Sequence, residues 1–185
     1  MIHQEPAKGK LLLAEPFMAD PNFKRSVVLL CEHDTLGSMG FIINKITDLS
    51  LNDVVVDFPD FEAPVYYGGP VQPNTLQFIH RAGEKIEGSI EIADGIYWGG
   101  SFDELKSYII AGSINPEDFL FLVGYCGWDD GQIKFEMTEN SWVVADATEE
   151  NVFSRKPDSL WNDVMKKLGK KYAVMASFPV DPTVN

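Results

Sequence analysis

Residues 119–125 read Phe-Leu-Phe-Leu-Val-Gly-Tyr, a run of apolar and aromatic residues without a charge. Unbroken apolar runs of this length are typical of a central strand that is buried on both faces of a sheet. The apolar stretch continues to Trp128, ten residues in all, which is well short of the ~20 residues that a membrane-spanning helix needs. The sequence therefore predicts a buried central strand at Phe119–Tyr125.

Further strands are predicted on both sides of this run. Each is a short β-branched or apolar segment bounded by turn residues, and Gly37-Ser38 is predicted to be the tight link between the second and the third. The predicted strands are Lys10–Glu15, Ser26–Cys31, Met39–Lys45, Val65–Tyr67, Thr75–His80, Ile86–Ile92, Ile96–Trp98 and Ser141–Ala145.

Helices are predicted where capping residues precede apolar residues spaced three and four apart. They cover Ser50–Val56, Ser101–Ala111 and Asp158–Leu168, the last with an Asp cap. Gly131–Glu139 stays open between helix and strand, because its apolar residues also alternate. Many strands with interspersed helices indicate an α+β fold, a mixed or largely antiparallel sheet with about four helices.

Length and composition limit the classes of protein that the chain can be. At 185 residues, against about 150 per domain, we expect one domain spanning residues 1–185. The 28 acidic and 15 basic residues give a net charge of −13, which disfavours nucleic-acid binding because phosphate affinity comes from Lys and Arg. A DNA-binding regulator would have to insert the basic segment 155–171 into a groove, and no helix-turn-helix pairing supports that.

The N-terminus and the cysteines indicate a cytoplasmic protein. Residues 1–10 are polar, and the apolar run Leu11–Ala14 is too short for the ~7–15 residues of a signal-peptide core. Cys31 and Cys126 lie 95 positions apart, which is unlike a secreted disulfide scaffold. We expect both to be reduced and buried, although a bridge between them stays open as an alternative. No membrane contact is expected.

Several local motifs occur in a specific order. They are Gly9-Lys10-Leu11-Leu12-Leu13-Ala14, Ala19-Asp20-Pro21-Asn22-Phe23, Ser26-Val27-Val28, Glu32-His33, Gly40-Phe41-Ile42-Ile43-Asn44, Tyr67-Gly68-Gly69-Pro70-Val71, Gly124-Tyr125, Gly127-Trp128 and Gly131-Gln132. Together they resemble the AlgH/YqgE family of bacterial cytoplasmic proteins over residues 9–169. The resemblance implies an α+β domain and no established reaction. Family members are often labelled transcriptional regulators on genetic grounds.

Two groups of residues could carry covalent chemistry. Glu32 and His33 are an acid/base candidate, provided that the strand ends before them so that both face one site. The alternative is that His33 and Asp34 bond the following turn. Cys126 is a nucleophile candidate if a histidine approaches it, and otherwise a buried thiol. A small hydrolase or transferase that uses Cys126 or Glu32/His33 is therefore the alternative function. The sequence contains no metal-ligand or cofactor-binding motif, so we expect neither a metal nor a cofactor.

The glycine-rich segments predict a binding cleft more directly. Gly68-Gly69 and the run from Gly127 to Gln132 combine mobile backbone, aromatic surface and amide donors, although glycine also permits close backbone approach and Trp128 could pack on the core. The candidate cleft comprises Glu32, His33, Asn44, Gly68, Gly69, Tyr125, Gly127, Trp128 and Gln132. Our leading hypothesis is a non-enzymatic module that binds a protein or small-molecule ligand and acts on transcription indirectly.

Overall fold

The apolar run that begins at Phe119 forms an eleven-residue strand, the longest among the residues that the structure describes. A computed structural model describes residues 4–180, and across these residues the chain forms nine strands and six α-helices. The strands are β1 Lys10–Ala14, β2 Val27–Asp34, β3 Gly37–Ile42, β4 Val65–Tyr67, β5 Val71–His80, β6 Ile90–Ala93, β7 Ile96–Trp98, β8 Phe119–Asp129 and β9 Trp142–Asp146. The helices are α1 Leu51–Val54, α2 Phe102–Ile110, α3 Gln132–Thr138, α4 Glu149–Val152, α5 Pro157–Lys167 and α6 Lys170–Ala176.

Strand β8 joins the two halves of the sheet. The strands lie in the order β6-β7-β5-β8-β3-β2-β1-β9, and β4 adds to β8 outside this order. The first half of β8 pairs with β5 on one edge and with β4 on the other, while residues 126–129 pair with β3. Only the β4–β8 pair is parallel among the described strands, so the α+β fold with a largely antiparallel sheet is confirmed.

The chain crosses over β8 between β4 and β5, because these two strands lie on opposite edges of it. The crossing segment contains Gly68 and Gly69. A Cβ atom on Gly68 would lie 2.3 Å from the carbonyl oxygen of Gly124, and one on Gly69 would lie 2.3 Å from the carbonyl carbon and oxygen of Tyr125. Gly68 and Gly69 thus serve the close backbone approach that glycine permits, which the sequence offered as the alternative to a cleft role.

Three apolar clusters cover the two faces of the sheet. Alternate residues of β1 face opposite ways, so Leu11 packs beneath α5 and α6 while Leu12 packs on the side of α3. Trp161 of α5 is 1% exposed, and its indole Nε1 donates to the carbonyl oxygen of Ala14 at 2.9 Å. The third cluster lies between β5, β8 and helices α1 and α2.

The open question over residues 131–139 resolves as a helix. Gly131 has φ of +73° and turns the chain sharply after β8, and α3 follows at once. Ile133 is 2% exposed and Met137 packs against the same cluster, whereas Phe135 is 65% exposed. Ile133 and Met137 are four positions apart, which is the helical spacing, and this spacing decides the structure. The alternation of these two residues with Phe135, which would suit a strand, does not.

Several predicted boundaries were wrong. Residues 83–85 form a 3-10 turn, and strand β6 starts only at Ile90. The β2–β3 turn consists of residues 35–36, so Gly37 and Ser38 already belong to β3. Helix α5 begins at Pro157 with Lys156 as its N-cap, because proline fits the first helical position, so Asp158 is not the cap. Helices α4 and α6 were not predicted.

The backbone crossing yields a stability prediction. We expect Gly69→Ala to cost more than ~4 kcal/mol of unfolding free energy or to prevent folding, because no relaxation of a flexible side chain can relieve the overlap with the Tyr125 backbone. Gly112→Ala is the matched control: this glycine has φ of +64° and open space around it, so only the left-handed strain of ~1–2 kcal/mol applies. Urea unfolding measures the stability of both variants. Equal losses of unfolding free energy would contradict a close backbone contact at Gly69.

Candidate functional site

The C-terminal half of β8 separates two clefts, and five of the predicted cleft residues line them. The tyrosine cleft, about 500 Å³, is lined by Glu32, Tyr125, Gly127 and Trp128 together with Asp34, Met39 and Val71. The tryptophan cleft, about 300 Å³, is lined by Gly127, Trp128 and Gln132 together with Phe23, Glu136 and Trp142. Val71, Gly127 and Trp128 border both clefts.

The acid/base candidate is divided between two faces of the β2–β3 hairpin. Strand β2 continues through Asp34, so successive side chains alternate, and Glu32 and Asp34 line the tyrosine cleft without His33. The His33 Nδ1 atom lies 2.7 Å from the Ser38 Oγ atom across the hairpin. The Asp34 Oδ1 atom accepts from the backbone N–H of Leu36 at 2.7 Å, as the turn alternative predicts.

A single carboxylate organises the tryptophan cleft. Glu136 Oε2 accepts from the indole Nε1 atoms of Trp128, at 3.0 Å, and Trp142, at 2.6 Å, and its Oε1 accepts from Gln132 Nε2 at 2.9 Å. The Phe23 ring meets Trp142 edge-on, with the ring centroids 5.5 Å apart. Sequence reasoning missed Glu136, although the spacing of four from Gln132 would have revealed it had the segment been assigned as a helix.

Trp128 packs on the core, as the alternative to a binding role anticipates. It is 6% exposed and belongs to the cluster that α3 covers. The Trp142 ring centroid lies 6.0 Å away at an angle of 78°, and the Trp128 Nε1 atom is bonded to Glu136. Trp128 therefore forms the wall between the two clefts while stabilising the fold.

Asn44, Gly68 and Gly69 make backbone contacts instead of lining either cleft. The Asn44 Oδ1 atom accepts from Val27 N at 2.8 Å, and its Nδ2 atom donates to the Arg25 carbonyl oxygen at 3.0 Å. Asn44 thus fixes the start of β2 against the end of β3. The two glycines are buried within the crossing over β8.

The environment of Cys126 does not favour nucleophilic chemistry. Cys126 is 0% exposed, its Sγ atom donates to the Gly68 carbonyl oxygen at 3.3 Å, and burial raises its pKa to about 12. A thiol of this kind is almost entirely protonated at neutral pH. Cys31 is buried as well, its pKa is raised for the same reason, and both thiols are free.

Neither described histidine is bonded to that thiol. His33 is bonded to Ser38, and His80 is fully buried, with hydrogen bonds to Ser89, Gly99 and Ala82. His3 lies outside the described residues. Within residues 4–180, no three His, Cys, Asp or Glu side chains are grouped as metal ligands would be. In the same part of the chain, no helix has both the length and the apolar character to cross a membrane.

His80 is held neutral by its surroundings. The Ala82 N–H donates to Nδ1 at 3.3 Å, so the ring proton resides on Nε2, which donates to the Gly99 carbonyl oxygen at 3.1 Å. The ring stacks on Tyr97 and Phe119, each with centroids 5.6 Å away. Burial lowers the pKa of His80 from 6.5 to about 4, although the Gly99 bond opposes the shift.

This shift predicts a pH-dependent stability. Between pH 6.5 and pH 4 the unfolded chain binds a proton at His80 that the folded protein excludes, so the free energy of unfolding falls by about 3 kcal/mol as the pH is lowered. The contribution is fully present above pH 6.5. The free energy of unfolding, measured with urea at several pH values between 4 and 6.5, should fall less steeply with decreasing pH for His80→Gln than for wild type. The exposed His33→Gln is the control and should keep the wild-type slope. Equal slopes for His80→Gln and wild type would disprove the assignment.

The burial of Trp128 predicts a loss of stability on truncation. We expect Trp128→Ala to lower the free energy of unfolding by about 3–5 kcal/mol, because it leaves a cavity and removes an indole donor from Glu136. Phe135→Ala in the neighbouring helix is the control and should change stability by less than ~0.5 kcal/mol, since Phe135 is 65% exposed. If thermal or urea unfolding showed only a small loss of stability for Trp128→Ala, Trp128 would not be a core residue.

Comparison with known proteins places the chain in one family. A family profile described as AlgH-like matches residues 11–173. UPF0301 proteins from Cytophaga hutchinsonii and Chlorobium limicola are 40% and 44% identical to the chain, over 96% of it and over 98% and 95% of their own lengths.

Two solved structures share the fold. A crystal structure of a Corynebacterium diphtheriae protein, 22% identical, has a TM-score of 0.81 and covers 96% of this chain and 95% of that one. The solution structure of AlgH from Pseudomonas aeruginosa, 30% identical, has a TM-score of 0.74 and covers 97% and 98% of the two chains. With the profile match and the full-length relatives, these similarities lead to one conclusion: the chain belongs to the AlgH-like family.

Proposed function

We propose that this protein is a cytoplasmic, non-enzymatic binding module that captures an extended, basic segment of a partner protein along the open edge of β8. Any effect on transcription is then indirect, through that partner. The proposal rests on one observation, a strand edge that lies between two clefts and pairs with no described strand.

The open edge is residues 126–129 on the β5 side of β8. Strand β5 pairs with β8 from Phe119 to Tyr125, where Val71 is its last partner, and no described strand lies on that side of the remaining residues. Gly127 and Asp129 are exposed there. An edge without a partner strand presents backbone N–H and C=O groups with which an extended peptide can pair. The Asp129 N–H donates to the Gln132 Oε1 atom at 3.1 Å, so a peptide would have to displace that side chain to pair there.

The two clefts fit the side chains of such a peptide. Successive residues of a strand point to opposite faces of a sheet. A strand added beside Gly127 would therefore direct alternate side chains into the tyrosine cleft and the tryptophan cleft. Backbone pairing would provide affinity, and the two clefts would select the sequence.

The charge around the edge favours a basic partner. Glu32, Asp34 and Asp129 line the tyrosine cleft, and Asp20 and Glu136 line the tryptophan cleft. The whole chain carries a net charge of −13. Such a surface attracts Lys and Arg side chains and repels the phosphates of nucleic acids.

Gly127→Phe is the variant that tests the edge. Its backbone is not in the left-handed region, and a Cβ atom would meet only the Tyr125 ring, at 3.5 Å, so the fold accepts a side chain there. The new ring would occupy the tyrosine cleft. Peptides selected from a random displayed library on the wild-type protein should be rich in Lys and Arg, and Gly127→Phe should weaken their binding at least tenfold, or ~1.4 kcal/mol.

Ile110→Phe provides the matched control. It places the same side chain at the end of α2 on a residue that is 77% exposed and away from β8, so peptide affinity should be unchanged. Failure to select any peptide, selection of acidic peptides, or equal affinity for wild type and Gly127→Phe would each overturn the proposal.

A further inference from the structure

A further cavity lies away from the two clefts. It measures about 610 Å³, within the range of small-molecule sites, and is formed where β4 and the start of β8 meet the turns before β8 and before α5. We call it the Tyr66 cavity. Phe119, Leu120 and Phe153 give it an apolar wall, and all three are less than 9% exposed.

Tyr66 brings an unusual polar group to this cavity. The residue as a whole is 4% exposed and lines the cavity, and its hydroxyl bonds no other group among residues 4–180. A hydroxyl at the wall of a cavity can both donate to and accept from a molecule bound there. Burial and the nearby Asp158 carboxylate raise the pKa of Tyr66, so the group stays protonated and is free both to donate and to accept.

The charged residues at the cavity favour a cation over an anion. Glu62 and Glu117 line it together with a single base, Arg155. Arg155 is ion-paired with Glu117, which leaves the Glu62 carboxylate without a cationic partner among the described residues.

We infer that the Tyr66 cavity binds a small organic amine with an apolar body. The body packs against Phe119, Leu120 and Phe153, the ammonium group faces Glu62, and one of its N–H groups donates to the Tyr66 hydroxyl. Binding here is independent of the peptide edge, so either proposal can fail without the other.

Three probes with one aromatic body separate the charge states. Phenethylamine is cationic at neutral pH, 2-phenylethanol is uncharged and 3-phenylpropionate is anionic. In titrations followed by backbone amide chemical shifts, phenethylamine should give saturable shifts around the cavity, 2-phenylethanol should bind several-fold more weakly, and the carboxylate should not bind. No saturable shift with the amine, or equal binding of the carboxylate, would overturn the inference.

Two conservative variants test the named contacts. Tyr66→Phe removes a hydroxyl that no described residue bonds, so the melting temperature should hold while phenethylamine affinity falls several-fold. Glu62→Gln should lower the affinity for phenethylamine several-fold and leave the affinity for 2-phenylethanol unchanged. Glu139, an exposed acid outside the cavity, provides the control, and Glu139→Gln should change neither affinity. Wild-type affinity for phenethylamine in Tyr66→Phe or in Glu62→Gln would contradict the assigned contacts.

Discussion

The fold depends on one close approach between two stretches of backbone. Where Gly68 and Gly69 pass over Gly124 and Tyr125, no side chain fits between them. This crossing lets the chain leave β4 on one edge of β8 and enter β5 on the other edge. It also fixes where β5 can begin, because the chain reaches the second edge only at Val71, opposite Tyr125. The last four residues of β8 are consequently left without a partner strand on that side among the described residues.

The same strand, β8, therefore stabilises the fold and shapes the candidate site. Trp128 is a core residue that shares the Glu136 carboxylate with Trp142, and it is also the partition between two clefts. The neighbouring Gly127 is not needed for packing, because a side chain at this position would meet no backbone. Along one short segment, residues that hold the fold alternate with residues that are open to a partner.

The sequence predicted the local features well and the long-range ones poorly. The apolar runs at β1, β2 and β8 predict strands because burial on both faces leaves no alternation to misjudge. Glycine at 68 and 69 predicts a close approach, but not which backbone is approached, because strand pairing between distant segments has no local signature. The Tyr66 cavity was not predictable either, since four separate segments of the chain form it. The interpretation of residues 131–139 stayed open because two periodicities fit the same three apolar residues.

An unpaired strand edge exposes a protein to pairing with its own copies. Two molecules that met edge to edge here would bring Asp129, and the carboxylates beside it, against an identical set of negative charges. Pro70, exposed next to the edge, lacks the N–H that would extend such a ladder. The acidity that suits the edge to a basic segment thus also acts against self-association, and it does so most strongly at low ionic strength, where charges are least screened.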